Sequence, residues 1–173
     1  MRRVRYALVS SLDGFIAGPN DEFDWITDDP EVDSAQDFTR YDTALIGRRT
    51  FDVMRAHGQP AVSGMKNYIF SRTLNSIDIP QTSILSTTPE QTVAELRSAP
   101  DNGKDIWLFG GGELFRTLLA AHLVDEIELL LIPILLGGGI PLLPPSPQRV
   151  QLALQQQRSY KSGTLSLTYS IVY

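Results

Sequence analysis

The 173-residue sequence contains no cysteine and only two histidines. Without cysteine the chain can form neither disulfides nor thiolate zinc sites, and it lacks a cysteine nucleophile. This composition fits a reducing compartment. The longest apolar run, residues 129–136, is interrupted by Pro133 and is far shorter than the ~20 residues that a membrane-spanning helix requires. We therefore expect a cytoplasmic protein that holds no metal and has no membrane partner.

Basic residues are fewer than acidic ones. Fifteen Lys and Arg against 20 Asp and Glu give a net charge of −5. A surface that binds nucleic acid needs a basic stripe, and the sequence has none, so we expect no nucleic-acid partner. Any anionic ligand must be held by local groups. The length and the 42% hydrophobic content are sufficient for a single domain, residues 1–173, with a sizeable core.

Segments of strand length alternate with helical patterns over the first two thirds of the chain. Strands are predicted at residues 4–9, 43–46, 67–70, 84–85, 106–109 and 125–133, and helices at 29–41, 47–58, 88–98 and 113–122. Residues 150–160 and 164–173 are predicted to close the chain as a hairpin. The pattern indicates an α/β domain with a mainly parallel sheet and an antiparallel hairpin at one edge.

Local signals add detail to these elements. Asp29 before Pro30 predicts the start of a helix, and residues 88–91 predict a capping box with Pro89 at the first helical position. Alternation of apolar and polar residues over 164–173 predicts a strand with one buried face. Residues 11–26 are predicted as a long loop, and residues 137–147 as a stiff loop rich in Gly and Pro that ends at Pro147.

Three predicted strands end in residues suited to binding an anion. Gly110, Gly111 and Gly112 follow one strand, Gly47, Arg48, Arg49 and Thr50 follow another, and Ser71 and Arg72 follow a third. In mainly parallel sheets, ligands bind beyond the carboxyl ends of the strands, where helix N-termini attract phosphate. The full dinucleotide fingerprint is not met, because Phe115 stands where its last glycine would be. A tight turn with nothing bound is therefore the alternative.

Six motifs in order make the chain similar to the dihydrofolate reductase-like family, in the branch of the reductase domain of the riboflavin-biosynthesis deaminase-reductase. They are SLDGFIA, Asp24-Trp25, LIGRRTF, FSRT, LFGGGELF and PILLGGGIPLL. The resemblance covers the chain essentially from end to end. It implies a three-layer α/β sandwich, an NADPH-dependent reductase without the deaminase segment, and a homodimer. The apolar end of the last strand, with the loop that begins at Pro133, also favours a dimer.

The resemblance further implies where NADPH would bind. The pyrophosphate would lie near the Gly47 helix start and near Gly111, Gly112 and Glu113. Thr50, Gly110 and Leu114 are also expected to bind the cofactor. The 2′-phosphate of the adenosine would lie beside Arg48, Arg49, Ser71 and Arg72, and the nicotinamide would lie against residues 12–17, including Ala17. We expect the hydroxyl and the backbone N–H of Ser71 each to donate to this phosphate.

The substrate and the proton donor remain open at this point. Asp13 belongs to the motif of the riboflavin-type branch and is the candidate polar group on the substrate side, although Asp-Gly is also a common turn pair. Glu31, Asp33 and water are the other candidate proton donors. The substrate is expected to be a small heteroaromatic or carbonyl compound of pterin, pyrimidine or riboflavin-precursor type. A non-catalytic NADP-binding sensor or scaffold is the alternative function.

Overall fold

The computed structural model describes residues 1–26, 28–33, 35, 37–100, 102–146 and 149–173. An eight-stranded sheet forms the middle layer, with strand order β5-β4-β3-β6-β1-β7-β10-β9. Its strands are β1 Val4–Ser11, β3 Tyr41–Gly47, β4 Lys66–Phe70, β5 Thr82–Leu85, β6 Asp105–Gly110, β7 Glu126–Ile132, β9 Gln151–Ser159 and β10 Leu165–Val172. A separate two-stranded sheet pairs β2, Phe15–Ala17, with β8, Ile140–Pro141.

The first six strands along the large sheet are parallel, and β10 pairs antiparallel with both β7 and β9. This confirms the predicted mainly parallel sheet with an antiparallel hairpin at one edge. The helices are α1 Pro30–Asp33, α2 Arg48–Ala56, α3 Pro89–Ser98 and α4 Gly112–Ala120.

Helices cover both faces of the sheet. On one face α3 and α4 pack over a core that includes Val4, Leu108 and Phe115. On the other face α2 packs over a second core that includes Ile46, Phe51 and Ile69. The three-layer α/β arrangement predicted from the sequence is therefore confirmed.

The helix predicted at 29–41 is wrong in length. Only Pro30–Asp33 is α-helical, and a short 3-10 helix follows at Phe38–Arg40; residues 34 and 36 lie outside the described part of the chain. Asp33 would oppose the dipole at the end of this helix. Asp37 accepts the N–H of Thr39 at 3.0 Å and so begins a new turn instead of continuing the old one.

Four further expectations need correction. Helix α3 begins at Pro89 as predicted, but the side chain of Thr88 makes no capping hydrogen bond. The long loop at 11–26 contains β2, and helix α4 ends at Ala120, before His122. The face of the last strand that was predicted to be buried is only partly covered: Tyr169 and Ile171 are half-buried and Ile171 packs against the first core, but Leu165 is 37% exposed. The end of the predicted Pro-rich loop, Pro147, lies outside the described residues.

Candidate active site

The three strand ends singled out in the sequence belong to neighbouring strands. Strand β3 lies between β4 and β6, and the register aligns Gly47 with Phe70 and Ile46 with Gly110. Because these strands are parallel, the residues that follow them meet at one edge of the sheet. The three groups of residues predicted from the sequence therefore lie side by side, and we call them together the strand-end site.

Two helices begin at this edge, and their first residues are in contact. A Cβ added at Gly47 would lie 3.1 Å from the backbone nitrogen of Gly111, so the close approach of the two turns requires glycine there. Neither the α2 start at Gly47 nor the α4 start at Gly111 is capped by a side chain. Their first N–H groups, including those of Gly112, Glu113 and Leu114, are thus free to donate to an anion.

The three arginines at this edge differ in their surroundings. Arg48 donates to Asp52 at 2.7 Å and to the hydroxyl of Thr73 at 3.0 Å, and its Nη1 lies 3.4 Å from the hydroxyl of Ser71. Arg49 pairs with Asp21 at 2.9 Å, and its side chain is 69% exposed. Arg72 is exposed, and the described part of the chain offers it no ion pair. Of the three, Arg48 is the guanidinium whose direction is fixed by neighbours.

Ser71 cannot donate both of the hydrogen bonds to a phosphate that are predicted from the sequence. Its backbone N–H donates to the carbonyl of Leu85 at 3.0 Å, since β4 and β5 are neighbours, and it is therefore not available to a phosphate. Its hydroxyl oxygen accepts the N–H groups of Thr73 and Leu74, at 3.2 and 3.0 Å. The hydroxyl hydrogen can still donate outward, so only half of the expected pair of donors is present.

A cavity of about 350 Å³ lies between β4, β5 and α3. Its lining includes Tyr68 of β4, Leu85 at the end of β5, and Glu95 of α3. Among the described residues, none of those predicted to bind the cofactor lines this cavity.

Asp13 ties two loops together. Its carboxylate accepts the hydroxyl of Ser11 at 2.7 Å and the backbone N–H groups of Leu136 and Gly137 at 3.1 and 2.7 Å. The Ser11 hydroxyl, followed by these two N–H groups, lowers the pKa of Asp13 below its usual value. An ionised carboxylate with these partners can position the loops but is poorly suited to donating a proton. Whether it contacts the substrate stays a prediction.

The same loops pack closely around Ala17. Strand β2 pairs Ala17 with Ile140 of β8, and a Cβ at Gly139 would collide with the carbonyl of Ala17. Gly139, at φ 150°, adopts a backbone conformation that favours glycine. The loop that begins at Pro133 is thus held against residues 12–17.

An aromatic group lies on the α2 face of the sheet. Trp107 donates its indole N–H to the carbonyl of Ala7 at 3.0 Å. Its ring is 5.3 Å from that of Phe38, 5.5 Å from that of Tyr41 and 4.9 Å from that of Phe109. We call these four residues the aromatic floor. Tyr41 belongs to the second core, and Trp107 and Phe109 pack against it, whereas Phe38 is exposed. An exposed aromatic ring can stack against a flat heteroaromatic ring.

A network of ion pairs lies beside the aromatic floor, and the sequence pattern did not predict it. Glu128 accepts from Arg5 at 2.7 Å and from the hydroxyl of Tyr41 at 3.1 Å, and it pairs with Arg40 at 3.2 Å. Arg5 also pairs with Asp105 and Glu126. The sequence signal for this network is the alternation in β7, which places Glu126 and Glu128 on the same face of the strand. Their partners come from distant strands, so the sequence does not identify them.

The remaining carboxylates considered as proton donors lie in the short helix α1. The carboxylate of Glu31 accepts the backbone N–H of Lys161 at 3.4 Å, in the turn between β9 and β10. Asp33 is at the last position of α1. No group of metal-binding side chains occurs among the residues that the structure describes. Within that part of the chain, no helix is long and apolar enough to cross a membrane.

The layered sheet and its strand-end site define a protein of the dihydrofolate reductase-like fold, of the type found in riboflavin-biosynthesis reductase domains. The model of the RibD C-terminal domain family matches residues 2–166, and the chain belongs to that family. YyaP, an uncharacterized protein of Bacillus subtilis (strain 168), is 36% identical over 180 residues, which cover 97% of this chain and 94% of YyaP.

Solved structures agree on the fold. A putative riboflavin biosynthesis protein from Shewanella sp. PV-4 has a TM-score of 0.81 at 22% identity, with both chains fully covered. The diaminohydroxyphosphoribosylaminopyrimidine deaminase/5-amino-6-(5-phosphoribosylamino)uracil reductase of Thermotoga maritima has a TM-score of 0.71 at 16% identity; the match covers 99% of this chain and 57% of that protein. Family membership indicates a reductase-type enzyme.

Proposed function

We propose that the protein is an NADPH-dependent reductase that transfers a hydride to a small heteroaromatic or carbonyl substrate in the cytoplasm. The observation that supports this most is the contact between the two uncapped helix starts at Gly47 and Gly111, with Arg48 and Ser71 beside them. The pyrophosphate of one dinucleotide could accept hydrogen bonds from the N–H groups at the helix starts, and its 2′-phosphate could accept them from the arginines.

In this proposal the nicotinamide lies against residues 12–17, which the Asp13 contacts hold beside the loop from Pro133. NADPH supplies the hydride when bound. The residues of the chain bind and orient the reactants and exclude water, and no covalent intermediate is needed. The proposed substrate type is a pterin, a pyrimidine or a riboflavin precursor; family membership and the aromatic floor around Trp107 support this part of the proposal.

The experiment is stopped-flow mixing of the protein and NADPH with a panel of pterins, aminopyrimidines and quinones. Oxidation of NADPH by at least one member, with NADPH bound ~100-fold more tightly than NADH, is the expected result, because two charge-assisted hydrogen bonds to the 2′-phosphate are each worth ~1.5–3 kcal/mol. Equal affinities for the two cofactors would contradict the proposed site.

A second candidate function is a module that binds NADP without turnover. The observation that favours it is the lowered pKa of Asp13, whose carboxylate is occupied by loop contacts. Tight NADPH binding with no oxidation by any member of the panel would favour this alternative over the reductase.

A further inference from the structure

Charge is distributed unevenly along the chain. Between Tyr6 and Thr39 the sequence has nine acidic and no basic residues, which leaves 11 acidic and all 15 basic residues for the rest. The acidic residues are Asp13, Asp21, Glu22, Asp24, Asp28, Asp29, Glu31, Asp33 and Asp37. We call residues 13–37 the acidic segment. The net charge of −5 for the whole protein is therefore the sum of a strongly negative acidic segment and a slightly positive remainder of the chain.

The described residues of the acidic segment border both parts of the site: Asp21 pairs with Arg49 at 2.9 Å, and Asp37 directly precedes Phe38 of the aromatic floor. The segment begins next to β2, and Phe23 packs against His57 at the end of α2, with ring centroids 4.6 Å apart. It ends next to Phe38, whose ring contacts Trp107. Arg48 pairs with Asp52, and Arg72 makes no ion pair among the described residues, so the acidic segment neutralises neither of them.

The basic residues that reach the aromatic floor or the acidic segment already have acidic partners. Arg40 pairs with Glu128, and Arg49 pairs with Asp21. Arg5 is 8% exposed and is held by Asp105, Glu126 and Glu128. Two lysines are exceptions. The ammonium of Lys104 donates to the backbone carbonyl of Thr39 at 2.5 Å and lies near Asp37. Only the backbone N–H of Lys161 contacts Glu31, and its ammonium makes no ion pair with the described residues.

We infer that the substrate of this site is an uncharged or cationic heteroaromatic that carries no phosphate group. The inference rests on the proposed reductase function and narrows its substrate class. A phosphate needs several charge-assisted donors, whereas the acidic segment gives the region a negative potential that opposes an anion and favours a cation. The Thermotoga maritima protein, by contrast, is named for a phosphoribosyl substrate.

The test uses a matched pair, 5-amino-6-ribosylaminouracil and its 5′-phosphate. Binding of each is measured by equilibrium dialysis against the protein saturated with NADP⁺, and oxidation of NADPH is followed separately. The unphosphorylated compound is expected to bind about tenfold or more tightly, and the difference is expected to shrink at high salt. Equal or tighter binding of the phosphate, or binding of neither compound, would overturn the inference.

Separate measurements of substrate binding and of NADPH oxidation distinguish the inference about the substrate from the proposed reductase function. A preference for the unphosphorylated compound without NADPH oxidation would support the inference and count against the reductase. Oxidation that is faster with the phosphate would support the reductase and overturn the inference.

Variants test the electrostatic cause. Asp24→Asn combined with Asp28→Asn should tighten binding of the phosphate several-fold and leave the unphosphorylated compound unchanged. Asp78→Asn, which removes an exposed acid between β4 and β5, is the matched control and should change neither. Lys161→Gln should also leave binding of the phosphate unchanged, whereas a marked loss would show that Lys161 holds a phosphate and would contradict the inference.

Discussion

At the scale of single residues, the three arginines of the strand-end site are not equivalent. Arg48 is already oriented by the hydroxyls of Ser71 and Thr73, so it loses little side-chain entropy when it binds an anion. Arg49 is an exposed partner of Asp21, and exposed ion pairs of this kind are worth under ~1 kcal/mol. The environment of each side chain therefore predicts its contribution to cofactor binding.

We predict that Arg48→Ala weakens NADPH binding about tenfold or more and leaves NADH unchanged, since a charge-assisted hydrogen bond is worth ~1.5–3 kcal/mol. Arg72→Ala should have a smaller effect and Arg49→Ala the smallest. Isothermal titration with both cofactors measures the order. Asp21→Asn is the matched control, because it frees Arg49 without removing it; a loss for Arg49→Ala as large as that for Arg48→Ala would contradict the ranking.

Asp13 leads to a prediction about pH. Because its pKa is lowered in the folded protein, its loop contacts are present above the ordinary carboxyl pKa and are lost as the pH falls through the lowered value. Asp13 should therefore stay ionised between about pH 5 and 8 and add no step to the pH profile of kcat/KM in that range.

Asp13→Asn should lower kcat/KM without changing the shape of that profile, because one of the two acceptor oxygens is replaced by an amide. Hydrogen exchange at Leu136 and Gly137 should increase, since these N–H groups lose their partner. A profile that loses a limb in the variant would instead identify Asp13 as the proton donor.

At the scale of elements, the site depends on two turns that touch. Strand β3 delivers Gly47 and strand β6 delivers Gly111, and the two helices begin at their contact. Side chains at this contact would push the turns apart. The free N–H groups at the two helix starts would then no longer converge on one anion.

Gly111→Val tests this junction. Gly111 has φ −96°, a value that residues other than glycine also adopt, but a Cβ there lies 3.1 Å from the hydroxyl oxygen of Thr50. We expect the variant to remain folded and to bind NADPH several kcal/mol more weakly, on the order of the charge-assisted hydrogen bonds that are lost.

Gly111→Ala should show a smaller effect in the same direction, because it adds only the Cβ. Circular dichroism checks the fold of both variants, and fluorescence titration gives the affinities. Unchanged affinity in Gly111→Val would mean that the turn is purely structural.

At the scale of the whole molecule, we propose a homodimer through the hairpin of β9 and β10. Leu152 and Leu154 pair with Ile171 and Tyr169 across the hairpin and are 40% and 50% exposed. Leu165 lies on the same face and is also exposed. A contiguous apolar surface of this kind is typical of an interface, and a second copy would give the last strand the buried face that the sequence pattern predicts.

Light scattering across micromolar concentrations should give twice the 19.2 kDa of the chain. Leu154→Glu should shift the equilibrium to the monomer, because a buried unpaired carboxylate is costly in an interface. Gln155→Glu is the control, since Gln155 follows on the same strand with its side chain near Ser170. A wild-type mass of one chain throughout would refute the dimer.

The sequence by itself determined the alternation of the principal strands and helices, the mainly parallel sheet and the three groups of residues that follow its strands, but not β2, β8 or the shortness of α1. The features that it determined are local properties, because apolar periodicity, glycines and arginines at element ends are set by neighbouring residues. The tertiary structure decided which groups are free to act. The N–H of Ser71 donates to the carbonyl of Leu85 and is therefore not available to a ligand. The carboxylate of Glu128 already accepts from Arg5 and pairs with Arg40. The neighbours that decide this come from strands and loops distant along the chain, and no local pattern specifies them.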